Sequence, residues 1–265
     1  MKQNMQQEYP DFFAAQKQED VLVLKLTGNF FQNVINLERR DFISEYFERI
    51  SRDPDIKTVI LHTFYQKSDD DEYLHFFLFE CPKRKANSPA VFSEVDRYEV
   101  HKFCNVIDQF LLQIVSLNKI VIHTCRGSTI SLLMNLGLAC DYRIVADNTV
   151  FYNAYQQIGL LPKGGGPFFL SRLIGAGKLY ELMLLNREIT AGQALELGIV
   201  DRVVPPQELE KEAMEVARRF GENYGRTLTG MKKLVNYSIK DLRDYLAFES
   251  KQFLRICRDD TFGDL

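Results

Sequence analysis

The turn Arg126-Gly127-Ser128 and the apolar segment Ile130–Leu138 carry the first chemical signal in this sequence. Asn118–His123, before the turn, has the composition of a strand, and Ile130–Leu138 is predicted to be a buried helix. A strand that runs directly into a helix leaves backbone N–H groups without partners at the helix N-terminus. These groups and the helix dipole could hold a developing oxyanion. On the residues alone, the alternative is a buried helix that only packs.

Lys163 and the glycine run Gly164–Gly166 form a second candidate group. A lysine that faces a cleft could bind a carboxylate or a phosphate, and a desolvated lysine could serve as a base. The favoured alternative is an exposed loop lysine. The glycines are more typical of a close backbone approach at a helix start than of phosphate binding. His75, in the apolar segment that follows an acidic run, could be a general base, although a structural role is favoured.

The elements that must position these groups alternate between strand and helix, which predicts an α/β fold. Residues 1–19 are polar and are expected to be loosely packed, and the last ~60 residues are predicted to be helical. Thr190-Ala191-Gly192-Gln193 predicts a capping box. The further predicted strands are Val21–Leu26, Thr58–Thr63 and Tyr142–Val145, and the further predicted helices are Asn36–Ser51 and Tyr98–Leu117.

Composition argues against several classes of protein. A net charge of −3 argues against nucleic-acid binding. The five cysteines are widely spaced without a CxxC pair, which argues against a disulfide framework or a zinc site. No stretch approaches the ~18 apolar residues of a membrane span, and the N-terminus lacks a signal-peptide core. A soluble cytoplasmic protein without a metal site is therefore expected.

The order of pieces from Asn118 to Leu209 is strand, tight turn, buried helix, strand, glycine loop, helix and capped helix. This order resembles the core of the crotonase family, also called the enoyl-CoA hydratase/isomerase superfamily. The resemblance implies a crotonase-like α/β fold, with a ββα spiral core of two roughly perpendicular sheets over residues 1–205. It also implies a C-terminal helical region, residues 206–265, that packs subunits into homotrimers or hexamers.

The resemblance implies an oxyanion hole for an acyl thioester. The family's glycine donor corresponds to Leu132, so a backbone N–H is retained while the side chain narrows or tilts the site. The second N–H donor is expected near Phe76, where an aromatic core patch is the alternative. Asn33 and Val34 lie in the segment that corresponds to the coenzyme A contacts of the family.

The two positions that carry the family's catalytic glutamates hold Asn135 and Tyr155 here. Asparagine cannot exchange a proton at neutral pH, and the unperturbed pKa of tyrosine is about 10. The two-glutamate hydration mechanism is therefore not expected. A third position, which holds an acid in some family members, corresponds to Lys163. Asp141 and Arg143 match a frequent family pair and are expected to form a structural salt link.

The predicted function is an enzyme, of lyase or isomerase type, that acts on acyl-CoA or acyl-carrier thioesters through an oxyanion-stabilised enolate. Tyr155, Asn135 and either His75 or Lys163 would line the reacting carbon. Decarboxylation, isomerisation or hydrolysis would suit this site better than hydration. Coenzyme A is expected as part of the substrate, with no tightly bound cofactor. The alternative is a non-catalytic acyl-CoA-binding or assembly subunit of the same fold.

Overall fold

The computed structural model describes residues 13–26, 37–64, 97–153, 155, 160–185 and 188–256. In chain order its strands are β1 (Phe13–Gln18), β2 (Val21–Leu26), β3 (Thr58–Phe64), β4 (Ile120–Arg126), β5 (Ser128–Ile130), β6 (Tyr142–Ala146), β7 (Val150–Tyr152), β8 (Glu188–Thr190) and β9 (Arg202–Val204). Six of them form one sheet in the spatial order β1-β2-β3-β4-β6-β9. The other three form a smaller sheet in the order β5-β7-β8.

The larger sheet is parallel except at its β1 edge, where β1 and β2 run antiparallel. In the central strands Val21 pairs with Thr58, and Thr58 pairs with Ile120. Val21–Leu24 are all buried. A parallel strand that is covered on both faces has no solvent-facing side, so its sequence is an unbroken apolar run rather than an alternating one.

Helices follow most of these strands. In chain order they are α1 (Leu37–Arg52), α2 (Arg97–Ser116), α3 (Ser131–Leu138), α4 (Gly166–Leu184), α5 (Ala191–Glu196), α6 (Leu209–Gly221), α7 (Gly225–Asn236) and α8 (Leu242–Ile256). Helix α4 departs from helical geometry at Gly175, where φ is 77°. None of the helices in the described ranges is long and apolar enough to cross a bilayer.

The two faces of the larger sheet are covered by different helices. Helix α6 packs on one face through Leu209, Ala213, Val216 and Ala217, whose i, i+4, i+7, i+8 spacing places them on one side of the helix. The opposite face contacts α1, α2 and α3 in the main core. Helix α8 packs against α2 at the edge of the same core.

The predicted C-terminal helical region is described as far as residue 256, and it consists of helices joined by short connections. Helix α6 completes the cover of the sheet, and α8 contributes Leu246 and Phe253 to the main core. Both helices therefore pack against the preceding residues, α6 on one face of the larger sheet and α8 in the main core on the other. A role of this region in trimer formation stays a prediction.

Most predicted elements are confirmed, with two corrections. Strand β1 occupies Phe13–Gln18, within the segment that was expected to be loosely packed. An edge strand is held by backbone hydrogen bonds, so its side chains need no apolar pattern. The predicted helix Ile130–Leu138 begins at Ser131, because Ser128–Ile130 forms a short strand that pairs with β7. The predicted capping box between Thr190 and Gln193 is confirmed.

Candidate active site

The N-terminus of α3 lies inside the protein. All residues of α3 from Ser131 to Leu138 are buried, and Ile130 precedes the helix with an extended backbone. Ile130, at the N-cap position, has no side-chain hydrogen bond to this end of the helix within the described part of the chain. The backbone N–H groups of the first turn, including that of Leu132, are therefore buried and are not capped by the Ile130 side chain. An uncapped helix start of this kind is suited to binding an oxyanion.

The Leu132 side chain packs against the 160–165 loop. A Cβ built on Gly164 would lie 2.9 Å from Leu132 Cδ1, so a larger residue at this position would require the leucine side chain to shift. Gly164 also has a φ of 88°, which favours glycine independently. The leucine side chain is thus accommodated by the glycine loop.

Asn135 lies one helical turn after Leu132 and is fully buried. Its Nδ2 donates a 2.8 Å hydrogen bond to the carbonyl oxygen of Lys163. Its Oδ1 is buried and has no hydrogen-bond partner among the residues that the structure describes. The start of α4 touches the same carboxamide, since a Cβ built on Gly166 would lie 2.5 Å from Oδ1.

Tyr155 follows strand β7 and is buried in the main core. Its phenol oxygen also lacks a hydrogen-bond partner among the described residues. Desolvation by burial raises the pKa of Tyr155 above its ordinary range. The tyrosine is therefore a neutral phenol near neutral pH, able to donate a hydrogen bond and unsuited to act as a base.

The expectation that Lys163 is an exposed loop residue is wrong. Its side chain is fully buried, and its ammonium group is paired with Asp108 of α2 and with Glu249 of α8, the latter at 2.9 Å. Burial by itself would lower the pKa of Lys163, but the charges of Glu249 and Asp108 outweigh burial and raise it. The amine is therefore held charged, which argues against a role as a base.

The sequence pattern of the family described as "Enoyl-CoA hydratase/isomerase" matches residues 97–262, which is well over half of the chain. The chain belongs to the enoyl-CoA hydratase/isomerase family. Its similarity to a short-chain-enoyl-CoA hydratase of Clostridium acetobutylicum is 31% identity over 161 residues, covering 60% of this chain and 62% of the relative. A trans-2-decenoyl-[acyl-carrier-protein] isomerase of Streptococcus mutans is 29% identical over 134 residues, covering 51% of each protein. The chain thus spans between half and two thirds of the length of these relatives.

Solved structures of the enoyl-CoA hydratase/isomerase family share the fold over nearly the whole chain. An enoyl-CoA hydratase from Bacillus halodurans superposes with a TM-score of 0.76 at 20% identity, covering 94% of this chain and 96% of that one. A second, from Mycobacterium avium subsp. paratuberculosis, superposes with a TM-score of 0.72 at 19% identity, covering 96% of both chains. The predicted crotonase-like α/β fold is confirmed.

Glu249 and Asp108 are site-adjacent residues that the sequence interpretation missed. Both carboxyl groups have a pKa raised by burial, partly offset by the charge of Lys163. Ser250 donates a 2.7 Å hydrogen bond to Asp108. A usable signal was present for Glu249, because it falls on the apolar stripe of α8 between Leu246 and Phe253. A carboxylate at such a position needs a buried partner.

Two buried histidines were also missed. His62 and Thr124 are hydrogen-bonded across β3 and β4, and His123 Nε2 lies 2.8 Å from Thr63 Oγ1. Burial lowers the pKa of His62 to about 4 and that of His123 to about 3. Both imidazoles are therefore neutral at physiological pH. Gly137 of α3 packs directly on the His123 ring.

The remaining predicted residues divide into two groups. Asp141 and Arg143 each form a salt bridge as expected, although with other partners: Asp141 with Lys232 at 2.8 Å and Arg143 with Asp201 at 2.8 Å. The predicted residues His75, Phe76, Asn33 and Val34 lie outside the described residues.

Proposed function

We propose that this protein is an acyl-thioester enzyme that holds the thioester carbonyl oxygen at the N-terminus of α3. The observation that carries the proposal is the buried, uncapped start of this helix, with Leu132 in its first turn. Backbone N–H groups in an apolar setting stabilise an enolate oxygen more strongly than water does, because they are already oriented. The similarity to a short-chain-enoyl-CoA hydratase and to a trans-2-decenoyl-[acyl-carrier-protein] isomerase supports a thioester substrate.

The reaction is proposed to be decarboxylation, isomerisation or hydrolysis rather than two-glutamate hydration. Asn135 and Tyr155, at the two glutamate positions, are neutral and buried. These two residues therefore cannot act as the acid–base pair that two-glutamate hydration uses. A decarboxylation needs no base. The bond between the α-carbon and the substrate carboxylate breaks, carbon dioxide leaves, and the electron pair of the broken bond forms the enolate. Water then protonates the enolate at the α-carbon.

The complete site is proposed to include residues beyond the described ranges. Phe76 would supply the second N–H donor, and Asn33 and Val34 would contact coenzyme A, which enters as part of the substrate. His75 stays a candidate for the region around the reacting carbon. No tightly bound cofactor is proposed, and a cytoplasmic location stays a prediction from the sequence.

A homotrimer or hexamer is proposed as the assembly. Helix α7 carries apolar side chains that are largely exposed in the single chain, with Leu234 at 73% and Val235 at 62%. A run of exposed apolar residues along one helix supports contact with another subunit. Sedimentation analysis of the purified protein would test this, and a monomer at micromolar concentration would contradict it.

A second candidate is a non-catalytic acyl-CoA-binding or assembly subunit. It is favoured by the combined replacement of both acids by neutral residues and of the donor glycine by Leu132. Binding and turnover should be followed separately with crotonyl-CoA, malonyl-CoA and free coenzyme A. Turnover that is lost in Tyr155→Phe or Asn135→Ala supports the enzyme. Binding of the thioesters without turnover supports the second candidate. Absence of binding contradicts both the enzyme and the acyl-CoA-binding subunit.

A further inference from the structure

A buried ion cluster ties the C-terminal helix to the glycine loop. It consists of Asp108 on α2, Lys163 on the loop and Glu249 on α8, and these three residues are called the latch below. The side chains of Lys163 and Glu249 are 0% and 4% exposed. Burying such charges is costly unless each is paired and hydrogen-bonded. The latch therefore fixes the relative position of the three elements, since moving one would leave a buried charge unpaired.

The Glu249 carboxylate binds the backbone of the glycine loop as well as the Lys163 side chain. Its Oε2 accepts from the Lys163 ammonium at 2.9 Å and from the Gly164 N–H at 3.0 Å, and its Oε1 accepts from the Gly165 N–H at 3.0 Å. Gly164 and Gly165 both have left-handed backbones, with φ of 88° and 74°. Successive amides in such a conformation converge on one anion. The carboxylate thus fixes the loop backbone from residue 163 to residue 165.

The loop in turn fixes the Asn135 side chain. The carbonyl oxygen of Lys163 accepts the Asn135 Nδ2–H at 2.8 Å. A carbonyl can only accept, so the amide nitrogen must face Lys163 and the amide oxygen must face away. Asn135 Oδ1 is buried beside Gly166 and has no partner among the described residues, so its acceptor capacity is unused there.

We propose that Glu249 is a positioning residue, which acts through Lys163 and its carbonyl oxygen to orient Asn135 Oδ1 towards a hydroxyl group or a water molecule at the bound acyl chain. The proposal rests on the function proposed above for the ligand, while the orientation of Asn135 is a property of the free protein. Lys163 acts in it as the anchor of the loop. The C-terminal helix is in this way a functional part of the site.

The first test measures the free protein. With ¹⁵N-labelled asparagine, the side-chain amide protons of Asn135, assigned by their loss in Asn135→Ala, should be protected from solvent exchange. Glu249→Gln should reduce this protection at least tenfold, while the exposed substitution Asp244→Asn on the same helix should leave it unchanged. Unchanged protection in Glu249→Gln overturns the proposal. If Glu249→Gln does not fold, Asp108→Asn, which alters the partly exposed end of the latch, gives the same comparison.

The second test measures ligands and separates this proposal from the proposed function. The affinity for 3-hydroxybutyryl-CoA relative to butyryl-CoA reports the hydroxyl contact alone. The wild type should favour the hydroxy ester by about tenfold, the size of one hydrogen bond to an otherwise unpaired group. Asn135→Ala should abolish this preference, Glu249→Gln should reduce it at least threefold, and the double variant should match Asn135→Ala.

The outcomes of the second test are distinguishable. If the wild type binds neither ester, the proposed function fails, and the exchange measurement alone decides the role of Glu249. If both esters bind and Glu249→Gln keeps the full hydroxyl preference, the positioning role is wrong. Equal effects of Glu249→Gln in the wild-type and Asn135→Ala backgrounds would also overturn it, because residues that act through each other are not additive.

Discussion

Replacing Gly166 by alanine should destabilise the protein, because the added methyl group would clash with the Asn135 carboxamide. Gly166 is the first residue of α4 and is buried against the Asn135 carboxamide. An added Cβ would lie 2.5 Å from Oδ1 and 2.6 Å from Nδ2 of Asn135. The backbone itself accepts alanine, because Gly166 is not among the glycines with positive φ. The substitution therefore tests side-chain packing without backbone strain.

The magnitude follows from two opposing effects. Alanine is favoured over glycine inside a helix by about 1 kcal/mol at most. Overpacking a buried site costs about 1–3 kcal/mol, and moving Asn135 off Lys163 would leave buried polar groups unpaired at a further cost of about 1–3 kcal/mol. The cost of overpacking should exceed the gain in helix propensity, so Gly166→Ala is expected to lower the free energy of unfolding by about 2 kcal/mol.

Urea unfolding at fixed protein concentration measures this difference. Gly177→Ala is the matched control, because Gly177 lies in the same helix and its Cβ would meet nothing within 4 Å. In an Asn135→Ala background the carboxamide is absent, so Gly166→Ala should be neutral or stabilising there. An equal loss of stability in both backgrounds, or a harmless effect like that of Gly177→Ala, would refute the described packing of Asn135.

Three further predictions follow from other contacts. Gly137→Ala would place a Cβ 2.5 Å from Nδ1 of the buried His123 ring. The free energy of unfolding should therefore fall by about 2 kcal/mol, and the melting temperature should fall with it. An unchanged melting temperature would argue against this packing. Burial lowers the pKa of His62 to about 4 and that of His123 to about 3 in the folded protein, against an ordinary value of 6.5. Between pH 6.5 and about 4 mainly the unfolded chain takes up these protons. The unfolding free energy should therefore fall as pH drops from 6.5 towards 4, by on the order of 3 kcal/mol for each histidine. Urea titrations of wild type and His123→Gln measure this, and parallel pH profiles would contradict it. Thr190→Ala removes the capping box with Gln193 and should cost about 1 kcal/mol in unfolding free energy, whereas Thr190→Ser should retain most of the stability.

The sequence predicts the elements whose pattern is local. Val21–Leu26 and Tyr98–Leu117 have the composition or the period of their structures, and the structure gives closely similar bounds. The three-residue strands β5, β7, β8 and β9 were not predicted, because so short a segment shows no period. Strand β1 was missed for a different reason, since its six residues pair through the backbone at a sheet edge.

The environment of Lys163 could not be predicted from the sequence. Its partners Asp108 and Glu249 lie 55 and 86 residues away along the chain, and only the tertiary fold brings them together. The neutral character of positions 135 and 155 was, by contrast, visible from residue identity alone. The direction of the Tyr155 pKa shift was not, because it depends on burial in the folded core.

The proposed function depends on binding of a thioester carbonyl oxygen by backbone N–H groups at the start of α3. The most direct measurement is the carbonyl stretching frequency of an acyl-CoA labelled with ¹³C at its thioester carbon, recorded free and bound by difference infrared spectroscopy. Binding at oriented N–H donors should polarise the bond and move the band to a lower frequency than in buffer. A bound band at or above the frequency in buffer would contradict the claim.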